Sequence, residues 1–588
     1  MLVELSQNWN LDDIFTGGKD SDELALEIKS LHHLLSEMTV VSQDLTQLKA
    51  LILTLQDLGS RLAECEMFVF CLACERRGDT HVQALQVQVA ELRAKQNALL
   101  IRLEQVLAVL PQSEWDELLN TEELSSIRLY LDERRERVLV RLSGEQELLV
   151  NELAADGYHA WASLYRKLQD QLRVPVELDG ERQELTAGQI WGMLSHRDRH
   201  VRAHVLDALE VKLKAEEELF AAALNHLAGF RLALYSRRGW DSVLEEPLFN
   251  NRLSQATLDA MFGVVEQNRK RLTPFLKRKG ELLGLEDLIM PDSGAPFSET
   301  TSDMPFNRAA VLIVEQFRAF SPQMAEFAET CFRNGWVDAE ERPDKGAGGF
   351  CVPFFRREQS RVFMNYRGRA SDMLVLAHEL GHGYHNHVLN GLPYFAQEYP
   401  MSLAETASTF AELIVMDSAI EGAESLEIQA ALLADKLGRG ILLVLGVYGA
   451  YQFERAFYEE RKNGIVQAAR LSELMAESQR HAHDGVYDRY HPYQWILQPH
   501  FYMTDNPFYN FPYTFGYLFS MGLYAQAKRV GAGEFAKKYQ QLLGDTGRMT
   551  AEQLAQTHLG VDLTKVEFWQ GAVDLLAADV EQFLHLTN

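Results

Sequence analysis

Apolar residues recur at the spacing of an α-helix through most of this chain, and this periodicity restricts the fold more than any other feature. The first run covers residues 24–35 and follows Ser21 and Asp22, which form a common start signal for a helix. Comparable runs cover residues 43–58, 82–110 and 186–234. The sequence therefore predicts a mainly α fold.

Two stretches depart from the helical pattern and predict short strands. Residues 174–181 predict a β-hairpin that turns at Asp179 and Gly180. Residues 350–355 and 361–366 are also strand-like, and the polar residues between them suit a hairpin turn. We expect these last two strands to form one small β-sheet just ahead of the strongest motif in the chain.

The chain has 588 residues, which is more than one hydrophobic core normally holds. We expect a division near residue 190. Residues 1–190 would form an N-terminal helical lobe, and residues 191–588 would form a second, larger domain.

The balance of charge excludes two classes of partner. Acidic residues number 84 and basic residues 57, so the formal net charge is −27. A nucleic acid or an anionic membrane surface needs a basic face on the protein that binds it. We therefore expect neither as a partner. The longest apolar stretch, residues 440–451, is too short to span a bilayer and predicts a buried helix.

Cysteine usage and the first residues predict a cytoplasmic protein. Five cysteines form no disulfide framework, and the start of the chain lacks the basic and apolar segments of an export signal. Cys71 and Cys74 form a C-x-x-C pair, but they lie in a helical pattern with no second pair, so we interpret them as packing residues. His481 and His483 would not face each other on a helix, and they predict a surface loop rather than a second metal site.

The strongest motif is H-E-L-G-H, from His378 to His382. Residues four apart share one face of a helix, so the two imidazoles can hold one Zn²⁺ at about 2.0–2.1 Å. Glu379 is rotated away from the metal but can reach a water bound to it. Its carboxylate can take the proton of that water during attack on a carbonyl. The motif predicts two zinc ligands and a general base.

A catalytic zinc site needs a third protein ligand and one open position. His385 shares the helical face of the motif, but it lies a further turn, about 5 Å, along the axis. Three ligands on one helix cannot surround one ion. The metzincin arrangement is excluded because Val388 stands where that pattern requires histidine. The third ligand must come from another segment.

A second helix is predicted after Pro400, returning antiparallel to the first. Glu405 lies in its first turns and is the favoured third ligand. Glu398, on the preceding loop, is the alternative. Glu412 lies two turns after Glu405 on the same face and could orient a ligand by hydrogen bonding.

Several segments resemble those of one family of zinc peptidases. They are W-N-L-D-D-I-F at residues 9–15, N-Y-R-G at residues 365–368, L-A-E-T-A-S-T at residues 403–409, and an aromatic cluster at residues 495–517. Together with the H-E-L-G-H motif, they are similar to oligoendopeptidase F, a branch of the thimet oligopeptidase family. The likeness spans essentially the whole chain.

This resemblance implies a multi-helix, clam-like body of two lobes with a deep substrate channel. It also implies that the small β-sheet next to the zinc helix offers an edge to the substrate backbone. The implied activity is that of a zinc-dependent endopeptidase that cuts internal bonds of short oligopeptides, with one Zn²⁺ per chain and residues 191–588 as the catalytic domain. Short peptides would be its partners. The oligomeric state and the cleavage preference stay open.

The family places a histidine and tyrosines of the aromatic segment over the scissile bond. Carried over to this chain, His500 and Tyr513 are expected to act in catalysis, with Tyr513 donating a hydrogen bond to the oxyanion. Tyr509 and Tyr517 are expected to bind the substrate. The spacing does not separate Tyr513 from Tyr517 as the donor, and Phe511 departs from the tyrosine that family members often carry.

Two other functions are compatible with the metal motif alone. A helical binding scaffold with a structural zinc would need a fourth protein ligand and would give Glu379 no role. An esterase or amidase could use the same metal. The aromatic segment and the adjacent sheet edge favour peptides over these alternatives.

Overall fold

The computed structural model describes residues 5–39, 44–178, 180–296, 304–343, 345–346 and 348–588, and most of them are helical. This confirms the mainly α fold. In chain order, the helices are α1 (Asp22–Glu37), α2 (Leu45–Glu75), α3 (Thr80–Ala108), α4 (Gln112–Leu119), α5 (Glu122–Ser125), α6 (Arg128–Leu139), α7 (Gly144–Ala154), α8 (Ala160–Gln171), α9 (Ala187–Leu194), α10 (Arg199–Arg238), α11 (Glu245–Asn250), α12 (Gln255–Leu272), α13 (Pro274–Leu282), α14 (Phe306–Phe320), α15 (Pro322–Arg333), α16 (Ala370–Leu389), α17 (Met401–Glu421), α18 (Leu426–Ile441), α19 (Val447–Arg461), α20 (Ala468–Ala482), α21 (Gln494–Leu497), α22 (Phe511–Val530), α23 (Ala532–Asp545), α24 (Ala551–Leu554) and α25 (Val566–Leu586).

The chain divides into two compact units, each assembled from three segments. Unit 1 contains Met1–Arg141, Thr301–Ser418 and Gln526–Gly560, and unit 2 contains Leu142–Thr300, Ala419–Ala525 and Val561–Asn588. The predicted division after residue 190 concerns domains that are continuous in sequence, and it stays a prediction.

Helix starts follow the local signals in the sequence. The hydroxyl oxygen of Ser21 accepts a hydrogen bond from the Leu24 backbone N–H at 3.3 Å and so caps α1. The apolar stretch 440–451 is helical, as predicted, and Val444 and Leu445 within it are fully buried. No helix among the described residues combines the length and the apolar character that a membrane span requires.

Two minor predictions in the helical regions have different outcomes. Cys71 and Cys74 lie within α2, as interpreted, and both carry free thiols. The surface-loop prediction is wrong, because His481 lies in the last turn of α20 and His483, just after this helix, is only 4% exposed. Its Nδ1 atom lies 3.0 Å from the Gln479 carbonyl oxygen, one turn earlier in α20, so its polar ring is satisfied inside the protein.

Two small sheets complete the fold. The predicted hairpin is confirmed as β1 (Arg173–Leu178) paired antiparallel with β2 (Glu181–Thr186), although the turn residue Asp179 lies outside the described residues. The second sheet contains β3 (Val337–Asp338), β4 (Phe350–Phe354) and β5 (Gln359–Phe363), in the order β3-β5-β4. β4 is antiparallel to β5, as predicted, and β3 is parallel to it. β4 therefore lies at an edge of this sheet.

Candidate metal centre and aromatic cluster

Helix α16 carries the H-E-L-G-H motif, and its first turn is closed by a side chain. The Asp372 carboxylate accepts hydrogen bonds from the backbone N–H groups of Arg367, at 2.7 Å, and Arg369, at 3.0 Å. One turn of this helix separates His378 from His382, and their ring centroids lie 4.9 Å apart. The helix thus presents both imidazoles on the same side.

Helix α17 approaches α16 closely at Gly381. A Cβ atom added to Gly381 would lie 2.6 Å from the Ala407 carbonyl oxygen and 2.6 Å from the Ser408 Cα atom, so a side chain does not fit there. Glu405 lies on the same turn of α17. The close helix contact therefore brings its carboxylate to the two histidines.

The three predicted ligands converge with distances that suit one metal ion. Glu405 Oε2 lies 3.3 Å from His378 Nε2 and 3.7 Å from His382 Nε2. Two ligand atoms on a tetrahedral zinc, each about 2.0–2.1 Å from the ion, are about 3.4 Å apart. Within the described part of the chain, these three residues are the one group of three or more side chains placed to hold a metal. The alternative ligand, Glu398, is exposed and does not belong to the group.

The surrounding carboxylates determine the charge of these donors. Burial disfavours a charged His378, yet hydrogen bonds to Glu405 and Glu412 raise its pKa to about 9. Burial and the charge of His378 lower the pKa of His382 to about 4. Burial opposes ionisation of Glu405, but hydrogen bonding to His378 and the charges of both histidines lower its pKa to about 2. An ionised carboxylate with two imidazoles is a donor set that suits Zn²⁺.

Two further side chains hold the donors in place. Glu412 Oε2 lies 3.3 Å from His378 Nδ1, on the opposite side of the ring from Glu405. This is the geometry in which a carboxylate fixes the tautomer of a metal-binding histidine. Ser408 donates a hydrogen bond to Glu405 Oε2 at 2.8 Å. Sequence reasoning missed Ser408, although its i+3 spacing from Glu405 on one helix was an available signal.

Glu379 lies beside the start of edge strand β4. It is 5% exposed, and a Cβ atom added to Gly349 would lie 3.0 Å from its Oε1 atom. The backbone just before Phe350 therefore approaches the carboxylate without a side chain in between.

His385 has a different environment from the other two histidines of α16. It is fully buried and stacks on the Tyr399 ring at 4.1 Å, and its Nε2 atom lies 2.8 Å from the Thr546 hydroxyl. Burial lowers the pKa of His385 to about 3. Its neutral ring packs in the core of unit 1, in agreement with its exclusion as a ligand.

In unit 2, three of the four predicted aromatic-segment residues form one cluster. The His500 ring is stacked with Tyr509 at 5.7 Å and lies edge to face with Tyr513 at 5.7 Å. The Tyr513 hydroxyl lies 3.4 Å from His500 Nε2, and the Gln498 amide nitrogen lies 3.0 Å from His500 Nδ1. An amide that donates to Nδ1 leaves the proton of a neutral ring on Nε2, facing Tyr513. Sequence reasoning missed Gln498.

Tyr517, the fourth predicted residue, lies in a different environment. It is 4% exposed, and a Cβ atom added to Gly440 of α18 would lie 2.6 Å from its hydroxyl oxygen. Tyr513, by contrast, is only partly buried. The ring of Tyr517 thus packs against α18, while Tyr513 joins His500 and Tyr509.

Two family models match the chain. The model described as Peptidase family M3 matches residues 311–575, and the model described as Oligopeptidase F matches residues 107–173. Together they cover more than half of the chain. The first matched region contains helices α16 and α17, which carry the candidate metal ligands, and the aromatic cluster.

The chain is also similar to curated bacterial proteins. It is 24% identical over 400 residues to an oligoendopeptidase F homolog of Lactococcus lactis subsp. lactis (strain IL1403), over 67% of this chain and 65% of that protein. It is 22% identical over 534 residues to the group B oligopeptidase PepB of Streptococcus agalactiae serotype III (strain NEM316), over 88% of this chain and 86% of that protein. The match with the first of these spans less than two thirds of its length.

Solved structures share the fold over nearly the whole chain. A presumed peptidase of Chlamydophila abortus superposes with a TM-score of 0.86 at 19% identity, covering 99% of both chains. Oligoendopeptidase-F from Enterococcus faecium superposes with a TM-score of 0.70 at 18% identity, covering 96% of this chain and 97% of that chain. Because the sequence identity is this low, these structural similarities establish the fold alone.

Proposed function

The chain belongs to peptidase family M3, and we propose that it is a zinc-dependent endopeptidase that hydrolyses internal bonds of short oligopeptides. The observation that carries the proposal is the convergence of His378, His382 and Glu405, with Glu379 beside them. Three donors among the described residues leave one coordination position for a reactant, which a structural zinc site would fill with protein. His378, His382 and Glu405 would hold the Zn²⁺, which would supply Lewis-acid chemistry: a more acidic water and a more polarised peptide carbonyl.

Glu379 performs the proton transfers in this proposal. Its carboxylate accepts the proton that the attacking water loses and returns it to the amide nitrogen that leaves. The side chain is almost completely buried, so bulk water competes little for it. General acid–base catalysis of this kind typically contributes about 10²–10⁴ in rate.

The aromatic cluster supplies hydrogen bonds to the substrate. Tyr513 donates to the oxygen on which negative charge develops, which is usually the largest catalytic contribution. His500 presents an N–H group on the same side, and Tyr509 contacts the substrate beside it. The burial of Tyr517 against Gly440 favours Tyr513 as the donor and leaves Tyr517 to support the substrate-binding wall.

The proposed substrates are extended peptides. β4 is an edge strand, and it begins directly after Gly349, the residue that lies close to Glu379. A peptide that paired with this edge would carry its amide groups past the base. Folded proteins rarely offer such a free, extended segment. The five free thiols suit a reducing compartment, and we place the enzyme in the cytoplasm on that ground.

The first experiment separates the base from the ligand. Glu379→Gln should keep one zinc per chain and lower kcat by about 10²–10⁴, because the water loses its proton acceptor while the three donors stay. Glu405→Gln should instead lower zinc affinity. Zinc content is measured by elemental analysis after dialysis, and turnover is measured with a quenched fluorescent peptide. Glu398→Gln is the matched control and should change neither quantity.

Loss of zinc from Glu379→Gln, with full zinc in Glu405→Gln, would overturn the assignment of these two residues. The substrate class is tested separately with a mixed peptide library and a stable folded protein at equal enzyme concentration. Mass spectrometry should find internal cuts in the short peptides and an intact folded protein. Efficient cleavage of the folded protein would contradict the proposed substrate class.

A further inference from the structure

The aromatic cluster of unit 2 is built on a segment with strained backbone. Phe508 has a φ of +53°, in the left-handed region that bulky residues rarely adopt, and it is fully buried. Strain of this kind persists only where the surrounding structure enforces it. Tyr509 is the next residue, and Tyr513 lies in the first turn of the helix that follows. The conformation at Phe508 therefore sets the positions of both tyrosines.

A buried carboxyl group holds this turn from one side. Glu454 of α19 is 2% exposed, and its Oε2 atom accepts a hydrogen bond from the Asn510 side-chain amide at 2.6 Å. The backbone amide of Phe508 also favours the ionised form of the Glu454 carboxyl group and lowers its pKa. The other amide atom of Asn510, Oδ1, accepts from the Phe511 N–H at 2.6 Å, where α22 begins. The Glu454 carboxyl group is thus hydrogen-bonded to the residue that caps the next helix, two residues after the strained Phe508.

A buried guanidinium holds the same segment at its beginning. Arg231 of α10 is 2% exposed and donates to the Met503 carbonyl oxygen at 2.8 Å. It also donates to the Tyr158 hydroxyl at 2.7 Å, and this hydroxyl donates in turn to the Thr504 carbonyl oxygen at 3.0 Å. Residues 503 and 504 are therefore fixed by one network.

Tyr458 connects the two supports. Its hydroxyl accepts a hydrogen bond from Arg231, and its ring stacks on Phe508 at a centroid distance of 5.4 Å. Burial raises the pKa of Glu454 to about 8, while the charge of Arg231 and the two amide donors favour its ionised form. Such buried polar networks are costly when one partner is lost, because each group has given up its water.

We propose that Glu454, acting through Asn510, is a positioning residue that holds the strained turn in the form that aligns Tyr509 and Tyr513. Glu454 acts on the backbone and on a helix cap rather than on the substrate. The kinetic consequence rests on the proposed peptidase function. The structural consequence rests only on the hydrogen bonds within unit 2.

The test exchanges the two partners. Asn510→Asp keeps the cap on α22 but replaces the amide donor with a carboxylate oxygen that faces another carboxyl group. Glu454→Gln replaces the carboxyl group with an amide of the same shape, so an N–H donor takes the place of one oxygen acceptor. In the double variant, the new glutamine amide can donate to the new aspartate, so the hydrogen bond is restored in the opposite direction. This double-mutant cycle measures coupling between the two positions.

Each single variant should lower kcat for a short peptide by about 10–10², with little change in KM, because misplaced catalytic groups act mainly on the chemical step. The double variant should recover most of the lost kcat. Zinc content should stay at the wild-type value in all three. Glu460→Gln is the matched control, since Glu460 lies on the same helix with a 38% exposed side chain paired to Arg470, and it should behave as wild type.

Hydrogen exchange on the zinc-loaded proteins gives a readout that does not need activity. Amides of residues 503–513 should exchange faster in each single variant and return to the wild-type rate in the double variant. Two outcomes would overturn the proposal. One is a double variant whose fold-loss of kcat equals the product of the two single-variant losses, and the other is unchanged hydrogen exchange in both single variants. A wild-type protein that cuts no peptide would refute the proposed function, and the exchange experiment would still decide the role of Glu454.

Discussion

The metal centre and the aromatic cluster are built from different kinds of backbone. Each candidate metal ligand lies within a continuous helix, α16 or α17. The cluster instead takes His500 from a 3₁₀ turn, Tyr509 from irregular backbone and Tyr513 from the first turn of α22. The metal centre therefore owes its geometry to helical spacing and one close helix contact. The cluster owes its geometry to side chains that hold an irregular segment.

Because the two regions differ in this way, substitutions should affect them differently. A helix positions its side chains through many equivalent backbone hydrogen bonds, so a single distant change rarely moves them. A strained turn depends on a few specific partners, such as Asn510 and Glu454. We expect changes at the metal centre to act on zinc affinity, and changes at the cluster to act on kcat while zinc stays bound.

The largest expected effect is that of Tyr513→Phe, which should lower turnover without affecting zinc binding. Removing one oxyanion donor typically costs about 10²–10³ in turnover, or roughly 3–4 kcal/mol. The loss should fall on kcat, because the hydrogen bond forms in the transition state, and KM and zinc content should change little. Steady-state kinetics on a short peptide, with elemental analysis, measure all three quantities.

Tyr517→Phe is the matched control for this variant. Its hydroxyl packs against Gly440 inside unit 2, so its removal should leave kcat nearly unchanged. A near-normal kcat for Tyr513→Phe beside a large loss for Tyr517→Phe would move the oxyanion role to Tyr517.

A second, smaller effect concerns the pH dependence of zinc binding. His378 has a pKa of about 9, so at pH 7 its ring holds a proton that must leave before Nε2 can bind a metal. Glu405 and His382 have pKa values of about 2 and 4, so both are already deprotonated at pH 7. Apparent zinc affinity should therefore rise about tenfold per pH unit from pH 7 and level off above pH 9. Competition with a chelator across this range measures it.

Glu412→Gln tests the cause of that dependence. This substitution removes one of the two hydrogen bonds that raise the pKa of His378. The apparent zinc affinity should therefore reach its maximum at a lower pH than in the wild type. Above pH 9, zinc affinity should be about 10–100 times weaker, because the histidine loses the group that orients it. A wild-type affinity that does not change between pH 7 and pH 9 would show that no proton competes with the metal.

The smallest expected effect concerns the helix contact itself. Gly381→Ala places a methyl group 2.6 Å from the Ala407 carbonyl oxygen, so α17 must move away. We expect a loss of about 1–3 kcal/mol in the free energy of unfolding, together with weaker zinc binding. The free energy of unfolding is measured by denaturant unfolding of the metal-free protein, and the zinc affinity is measured by competition with a chelator.

Gly438→Ala in α18 is the control for this change. Among the described residues, a Cβ atom there has no neighbour within 4 Å beyond the adjacent backbone of α18, so the variant should gain up to about 1 kcal/mol from helix propensity. If Gly381→Ala proves as stable as Gly438→Ala, the close contact does not hold the metal centre together.

Local spacing is what allowed the sequence to predict a candidate metal centre. The positions of His378 and His382 on one face follow from the period of a helix. Glu405 could be chosen over Glu398 because Pro400 marks the start of α17. Long helices and both hairpins were predictable for the same reason, since each carries its signal within a short stretch of sequence.

Features that depend on distant contacts could not be predicted in this way. β3 has two residues, too few for any periodic signal, and it forms by pairing with β5. Glu454 lies 56 residues before Asn510, and nothing in the sequence near either residue indicates that they meet. The burial of His483 likewise depends on tertiary packing around the end of α20. Spacing alone also left Tyr513 and Tyr517 equivalent, and only their different burial separates them.

The edge position of β4 also bears on how this protein behaves at high concentration. An edge strand can pair with the same strand of a second molecule as readily as with a peptide, and repeated pairing of this kind leads to aggregation. β4 is only five residues long, and Pro353 within it has no backbone N–H to donate. The strand is therefore long enough to hold a single short segment, yet too short and too interrupted to seed a growing intermolecular sheet.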